Sequence, residues 1–182
     1  MMIKVCGITR REDAEVAVDA GATALGFIFY PPSPRYITPE HAAEVGAGLA
    51  AWKVGIFVDE SPAAIEAVMR AARLDVAQVY GTAIPRGRRV WRAFRGTGVQ
   101  PVTDCAAVVL DGPKSGLPFD WQLARGLAEK VIVAGGLDAS NVAEAIRAAE
   151  PWGVDASSRL ESAPGIKDHE KVRQFIKAAQ QA

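Results

Sequence analysis

The sequence predicts an α/β chain closed into a compact (β/α)8 barrel, a TIM barrel in outline. Short β-rich runs alternate with helix-like segments from end to end, and eight such runs can be counted. Six of them are nearly continuous in apolar residues, the pattern of strands buried on both faces of a parallel sheet. A doubly wound open sheet is the alternative architecture, but it would use only about five or six strands. The 182 residues suffice for a sizeable core and require no more than one domain, 1–182.

In chain order, the first strand is Ile3–Cys6, and Thr9-Arg10-Arg11-Glu12 leads from it into an alanine-rich helix. The second strand, Ala24–Phe29, runs into the proline-stiffened loop Pro31-Pro32-Ser33-Pro34-Arg35-Tyr36. Thr38-Pro39 then opens a helix, with Pro at the first helical position after a capping hydroxyl. The third strand is Lys53–Val58, and Ser61-Pro62 repeats the same helix start. Strands Val76–Val79, Val90–Phe94 and Ala107–Leu110 follow, but the connections Gly81–Arg89 and Arg95–Cys105 are poor in helix formers. These crossovers after strands 4 and 5 are therefore expected to be shortened, which fits a chain below the roughly 200 residues usual for the fold. Val131–Ala134 and Gly153–Ala156 complete the set, with Asp138-Ala139-Ser140-Asn141 opening the helix between them. Asp168 opens a last helix through Ala179, with Val172, Phe175 and Ile176 on one face.

Composition narrows the function classes. Lysine plus arginine equals aspartate plus glutamate at 21 each, which gives no support to nucleic-acid binding or to an anionic membrane surface. No apolar run reaches the roughly 18 residues of a membrane helix, and no secretory leader precedes the first strand. Cys6 and Cys105 lie far apart without metal-type spacing, so a cytoplasmic protein with reduced thiols is expected.

In parallel α/β folds, ligands bind at the carboxyl ends of the strands. Cys6 ends the first strand and is followed by Gly7, which lets a ligand approach closely. A free cysteine is commonly no more than a small buried hydrophobe, so its partners decide its meaning. Asp111 ends the sixth strand and supplies a second titratable group across the same mouth, as acid–base chemistry requires. Gly135 and Gly136 end the seventh strand ahead of a helix, and Asp155, Ser157 and Ser158 end the eighth. Free amides and hydroxyls there outline a phosphate cradle, which barrel enzymes often hold after strands seven and eight. Arg35 stands on the stiff loop after strand two, and its planar fork suits a carboxylate. Neither His41 nor His169 falls at a strand end, which argues against histidine acid–base chemistry. Lys4 lies two residues before its strand's end and is expected in a different layer or face, which disfavours a Schiff-base aldolase.

With these residues in hand, the chain resembles the phosphoribosylanthranilate isomerases of tryptophan biosynthesis. The resemblance runs through Lys4-Val5-Cys6-Gly7-Ile8-Thr9, Gly26-Phe27-Ile28-Phe29, Ser33-Pro34-Arg35-Tyr36, Leu110-Asp111 and Phe119-Asp120-Trp121. It continues in Ala134-Gly135-Gly136-Leu137, Asn141-Val142, Val154-Asp155-Ala156-Ser157-Ser158 and Pro164-Gly165-Ile166-Lys167-Asp168. It implies an Amadori rearrangement with Cys6 as general base, Asp111 as general acid and Arg35 on the anthranilate carboxylate. It implies no metal or organic cofactor and a phosphorylated small molecule as partner; no nucleic acid or membrane is expected, and the chain is expected to be a monomer or homodimer. Three departures stand out. Tyr80 in Gln78-Val79-Tyr80-Gly81 replaces a histidine, Ser115-Gly116-Leu117-Pro118 shortens a glycine-rich segment, and Arg159 in Ser157-Ser158-Arg159-Leu160-Glu161 replaces a glycine.

Two other readings remain open at this point. A related histidine-pathway phosphosugar isomerase would typically use two aspartates, one of them where this chain has Cys6. A catalytically silent phosphate-binding barrel would suit the trimmed crossovers, but it has no need of both Cys6 and Asp111.

Overall fold

A computed structural model describes residues 1–182 except 83, 97–98, 100–101, 103 and 114–118. The shortened segment Ser115-Gly116-Leu117-Pro118 lies outside the described residues. Eight strands form one closed, all-parallel barrel: β1 (Met2–Cys6), β2 (Ala24–Ile28), β3 (Trp52–Phe57), β4 (Val76–Val79), β5 (Val90–Arg95), β6 (Ala107–Asp111), β7 (Val131–Val133) and β8 (Gly153–Ala156). They pair in sequence order, and β8 closes the ring on β1 with Lys4 in register with Asp155. The open-sheet alternative is thereby excluded, and each expected strand is present to within a residue or two at its ends.

Because side chains alternate along a strand, each stave feeds two cores. Outward residues such as Val5, Leu25, Phe27, Val79, Val133 and Val154 pack beneath the helices in the larger cluster. Inward residues at the amino-terminal end of the barrel form a second cluster around Val54, Val76, Trp91, Val109 and Ile132. Trp91, almost fully buried, meets Trp52 and Trp152 at centroid distances of 5.9 and 6.0 Å and closes that end. The opposite end of the lumen, at the carboxyl ends of the strands, carries a cavity.

Among the described residues, five α-helices cover part of the wall: α1 (Arg11–Ala20), α2 (Pro39–Gly46), α3 (Pro62–Ala71), α4 (Val142–Ala149) and α5 (His169–Gln180). Thr38 and Ser61 cap α2 and α3 through their hydroxyls with Pro at the first turn, and the Asp168 carboxylate caps α5, as expected. Two expected starts are built differently. The Thr9 hydroxyl donates to the Gly165 carbonyl at 2.5 Å rather than capping α1, and the Asn141 amide turns back into its own loop. None of the described helices is long and apolar enough to cross a membrane.

No α-helix lies between β4 and β5 or between β5 and β6 among the described residues, in line with the expected short crossovers. Among the described residues the crossover after β6 carries one 3-10 turn, Trp121–Ala124, and no α-helix, where a full βα unit is expected. Gly126, at φ 72°, ends the run just past that turn. The outer faces of these strands are sealed instead by Ile84, Val99, Phe119, Leu127 and Trp121.

Candidate active site

A cavity of about 280 Å³ opens at the carboxyl ends of the strands, and it gathers every residue singled out for function. Cys6, Arg35, Asp111, Gly135, Gly136, Asp155, Ser157 and Ser158 all line it. Cys6 comes from β1 and Asp111 from β6, on separate sides of the ring.

Cys6 is buried at the end of an inward-facing row that also carries Lys4. Gly26 on β2 stands beside it, and a Cβ there would fall 2.7 Å from the Cys6 sulfur, so the thiol occupies space that only glycine leaves. Burial pushes the Cys6 thiol above its ordinary range, against the opposing pull of the Lys4 and Lys167 ammonium groups. The expectation that Lys4 sits in a different layer or face from the chemistry is corrected here. Residues i and i+2 of a strand share a face, and the long Lys4 stem lifts its ammonium from the layer below toward the thiol. That ammonium is fully buried and pairs with Asp155 Oδ2 at 2.5 Å. Burial works to depress Lys4, but Asp155 and Cys6 together hold it above its ordinary value.

Asp111 is the second titratable group at the mouth. Burial pushes its carboxyl up, while Arg95, the Tyr80 hydroxyl and the Gly112 amide restrain the rise. The Tyr80 hydroxyl donates to Asp111 Oδ2 at 3.1 Å, and the Arg95 guanidinium lies 3.6 Å from the same oxygen and stacks over the Tyr80 ring. Tyr80 itself is held well above the ordinary phenol range, first by burial and then by Asp111.

The loops after β7 and β8 form one rim. Gly135 and Gly136 both take positive φ, 89° and 67°, and their turn delivers the chain toward α4. At Gly135 a Cβ would lie 2.4 Å from the Gly112 nitrogen and 3.1 Å from Asp111 Oδ1, so this glycine also seats the catalytic candidate on β6. Asn141 accepts from the Asp138 amide and donates to the Gly136 carbonyl, which fixes the turn. Ser157 donates to the Cys6 carbonyl at 3.0 Å. Arg159, which stands where the resembling family has glycine, reaches across to Asp138 with Nε at 2.6 Å and ties the two loops together.

Arg35 is more enclosed than an overhanging arm. Its Nε and Nη2 donate to the two oxygens of Glu161 at 2.8 and 2.7 Å, a bidentate fork. Its stem passes over Gly7, where a Cβ would lie 2.7 Å from Arg35 Cδ. Glu161 also accepts from Lys167 at 2.9 Å, and Lys167 donates to the Ser157 carbonyl at 3.3 Å. Glu161 and Lys167 sit on a hairpin, β9 (Glu161–Ala163) with β10 (Ile166–Lys167), that reading strand ends alone does not reveal. Asp13 holds this hairpin to α1 and α5, accepting from Arg10, the Lys167 amide and His169. Sequence reasoning does not single out Glu161, Lys167 or Arg95 for the site, and it sets Lys4 apart from the chemistry. Only Lys4 carried a usable signal, its two-residue offset from Cys6.

The family model described as N-(5′-phosphoribosyl)anthranilate isomerase matches residues 3–178. This chain belongs to the N-(5′-phosphoribosyl)anthranilate isomerase family. A relative of that name from Solibacter usitatus is 49% identical over 200 aligned residues, covering 100% of this chain and 98% of its own length. The solved phosphoribosylanthranilate isomerase of Thermotoga maritima superposes with a TM-score of 0.88 at 33% identity, with each chain covered in full. Another solved isomerase of the family, in complex with reduced 1-(o-carboxyphenylamino)-1-deoxyribulose 5-phosphate, gives a TM-score of 0.87 at 34% identity, again with full coverage of both chains. The isomerase barrel is thus retained even though the aligned length exceeds this chain.

Proposed function

We propose that this chain catalyses the Amadori rearrangement of N-(5′-phosphoribosyl)anthranilate to 1-(2-carboxyphenylamino)-1-deoxyribulose 5-phosphate in tryptophan biosynthesis. The observation that carries the residue assignment is the meeting of Cys6 and Asp111 in one cavity, beneath a rim of paired glycines and serines. Asp111 acts as general acid and protonates the furanose ring oxygen, opening the sugar to an iminium at C1. Cys6 acts as general base and its thiolate removes the C2 proton, so the electron pair moves into the C1–C2 bond and neutralises the nitrogen. The resulting enolamine takes a proton at C1 as its C2 hydroxyl becomes the ketone. The substrate's nitrogen is the electron sink, and the reaction needs no metal or organic cofactor.

The upward push of burial on Asp111 suits an acid that must hold a proton near neutrality, since an unperturbed carboxyl loses it at about pH 4. Gly135, Gly136, Ser157 and Ser158 take the phosphate through amides and hydroxyls, with Asp155 below them at the cavity floor. Arg35 addresses the anthranilate carboxylate with the edge of its guanidinium that Glu161 leaves open. The whole chain, 1–182, acts as a single barrel domain in the cytoplasm, as a monomer or homodimer, with a phosphorylated small molecule as its partner and no nucleic acid or membrane.

Loss of anthranilate fluorescence during turnover tests the reading. Purified protein should convert phosphoribosylanthranilate, and Cys6→Ala and Asp111→Asn should each lower kcat by at least about 100-fold, the usual scale of acid–base catalysis. Tight phosphate-ligand binding without turnover, or preference for a histidine-pathway aminoaldose, would reject the assignment.

A further inference from the structure

Lys4 and Asp155 are buried, charged and absent from the reaction steps above, yet they sit directly under the thiol. Lys4 is in register with Asp155 across β1 and β8, and their side chains pair at 2.5 Å. Two residues further along the same inward face comes Cys6. A Cβ at Gly26 would be 2.7 Å from the Cys6 sulfur and 3.1 Å from Lys4 Cε, so thiol and lysine converge over one glycine. The ammonium carries three N–H donors, of which the carboxylate oxygen takes one. Asp155 Oδ1 is buried with no hydrogen-bond partner among the described residues.

Stability alone does not account for such a pair. Replacing a buried ion pair by well-packed apolar residues is often neutral or favourable. The neighbouring lumen positions Ala24, Val54 and Val76 show that this depth of the barrel accommodates apolar side chains. A charge kept here at full burial, beside a thiol that must ionise, has a chemical use.

We infer that the Lys4–Asp155 pair is a positioning device that sets the ionisation of Cys6. The Lys4 ammonium holds the thiolate form, and Asp155 holds Lys4 in place while attenuating its charge. The inference rests on the reading of Cys6 as general base. The other groups facing the sulfur are Lys167 from β10, Arg35 from the loop after β2, Tyr80 just past β4 and Asp111 from β6. Lys167 and Arg35 are engaged by Glu161 as Lys4 is by Asp155, but Lys4 alone of the three shares the cysteine's own strand and face, and it acts on the sulfur more strongly than Lys167.

The two members of the pair should therefore shift Cys6 in opposite directions. In a Cys105→Ser background, the rate of iodoacetamide alkylation is followed against pH, with loss of label in Cys6→Ala assigning the signal. Lys4→Met should raise the alkylation midpoint by about one pH unit or more, and Asp155→Asn should lower it by a smaller amount, because Lys4 acts on the sulfur more strongly than Asp155 does. Lys4→Met/Asp155→Asn leaves no lone buried charge and should again lie above the parent, which keeps the test usable if Lys4→Met does not fold. The rising limb of the kcat/KM profile should move with the alkylation midpoint in each variant. Unmoved midpoints, or shifts of one sign in Lys4→Met and Asp155→Asn, would overturn the inference and leave the isomerase reading intact. Full turnover by Cys6→Ala would instead remove the general-base reading, whatever the titration shows.

Discussion

The Tyr80 hydroxyl donates a hydrogen bond to Asp111 Oδ2 at 3.1 Å, at the place where the resembling family carries a histidine. A phenol is neutral across the working pH range, so it restrains the rise of the Asp111 carboxyl without adding a second titration. Tyr80→Phe removes a donor to the ionised form and should let burial raise Asp111 further. Because the acid must be protonated, the falling, high-pH limb of the kcat/KM profile should move to higher pH in Tyr80→Phe. A limb that stays in place, or moves down, would show that Tyr80 does not govern the acid.

The Arg35–Glu161 fork makes a second prediction about binding rather than proton transfer. Glu161→Gln leaves two cations, Arg35 and Lys167, facing one another without the anion between them. The guanidinium loses its fixed orientation, and charge-assisted hydrogen bonds of this kind contribute about 1.5–3 kcal/mol. Steady-state kinetics should show KM raised by about 10-fold or more with a smaller change in kcat. An equal loss in kcat with KM unchanged would place Glu161 in the chemical step instead.

Gly135 links the phosphate rim to the acid. Its φ of 89° is strained for any side chain, and an added Cβ would meet the Gly112 backbone at 2.4 Å, which cannot swing aside as a flexible side chain can. Gly135→Ala should therefore displace Asp111 as well as the rim. Its effect should appear in kcat and in phosphate affinity together, with a stability loss of at least about 1 kcal/mol by denaturant titration. A variant weakened only in phosphate affinity would mean that the β6 end is indifferent to this contact.

These tests also mark where the sequence could be read and where it could not. Val5, Val54, Val109 and Ile132 belong to runs buried on both faces, and such runs announce strands without any knowledge of their partners. Thr38, Ser61 and Asp168 announce helix starts because a cap is a local hydrogen bond. Cys6, Asp111 and the Gly135–Gly136 pair stand out because strand ends coincide with the active rim in this architecture. Glu161 was not legible as an orienting group, since its partners Arg35 and Lys167 reach it only through a hairpin packed across the barrel mouth. Lys4 is set apart from the site by its place two residues before the strand's end, although the period-2 alternation of a strand puts it on the same face as Cys6. The 3-10 crossover after β6 was missed because loop residues such as Phe119 and Leu127 can seal a wall as a helix does.

Asp13 connects stability to pH. It is fully buried on α1 and accepts from Arg10, the Lys167 amide and His169, tying the β9–β10 hairpin and the start of α5 to the start of α1. Burial alone would raise its carboxyl, but these donors overcome that and hold it below its ordinary value. A carboxyl depressed in the folded state stabilises the fold above its unfolded pKa of about 4, and the contribution disappears as pH falls through the folded value. Thermal unfolding should accordingly show acid destabilisation below about pH 4 that is diminished in Asp13→Asn, because the variant has no proton to take up there. At neutral pH the same variant should be less stable by about 1–2 kcal/mol, since the charge-assisted hydrogen bonds to the buried carboxylate are weakened while the half-exposed Arg10 keeps Glu12 and solvent. An Asp13→Asn protein that matches the parent at pH 7 and melts in parallel with it on acidification would show that the hairpin is held by other contacts.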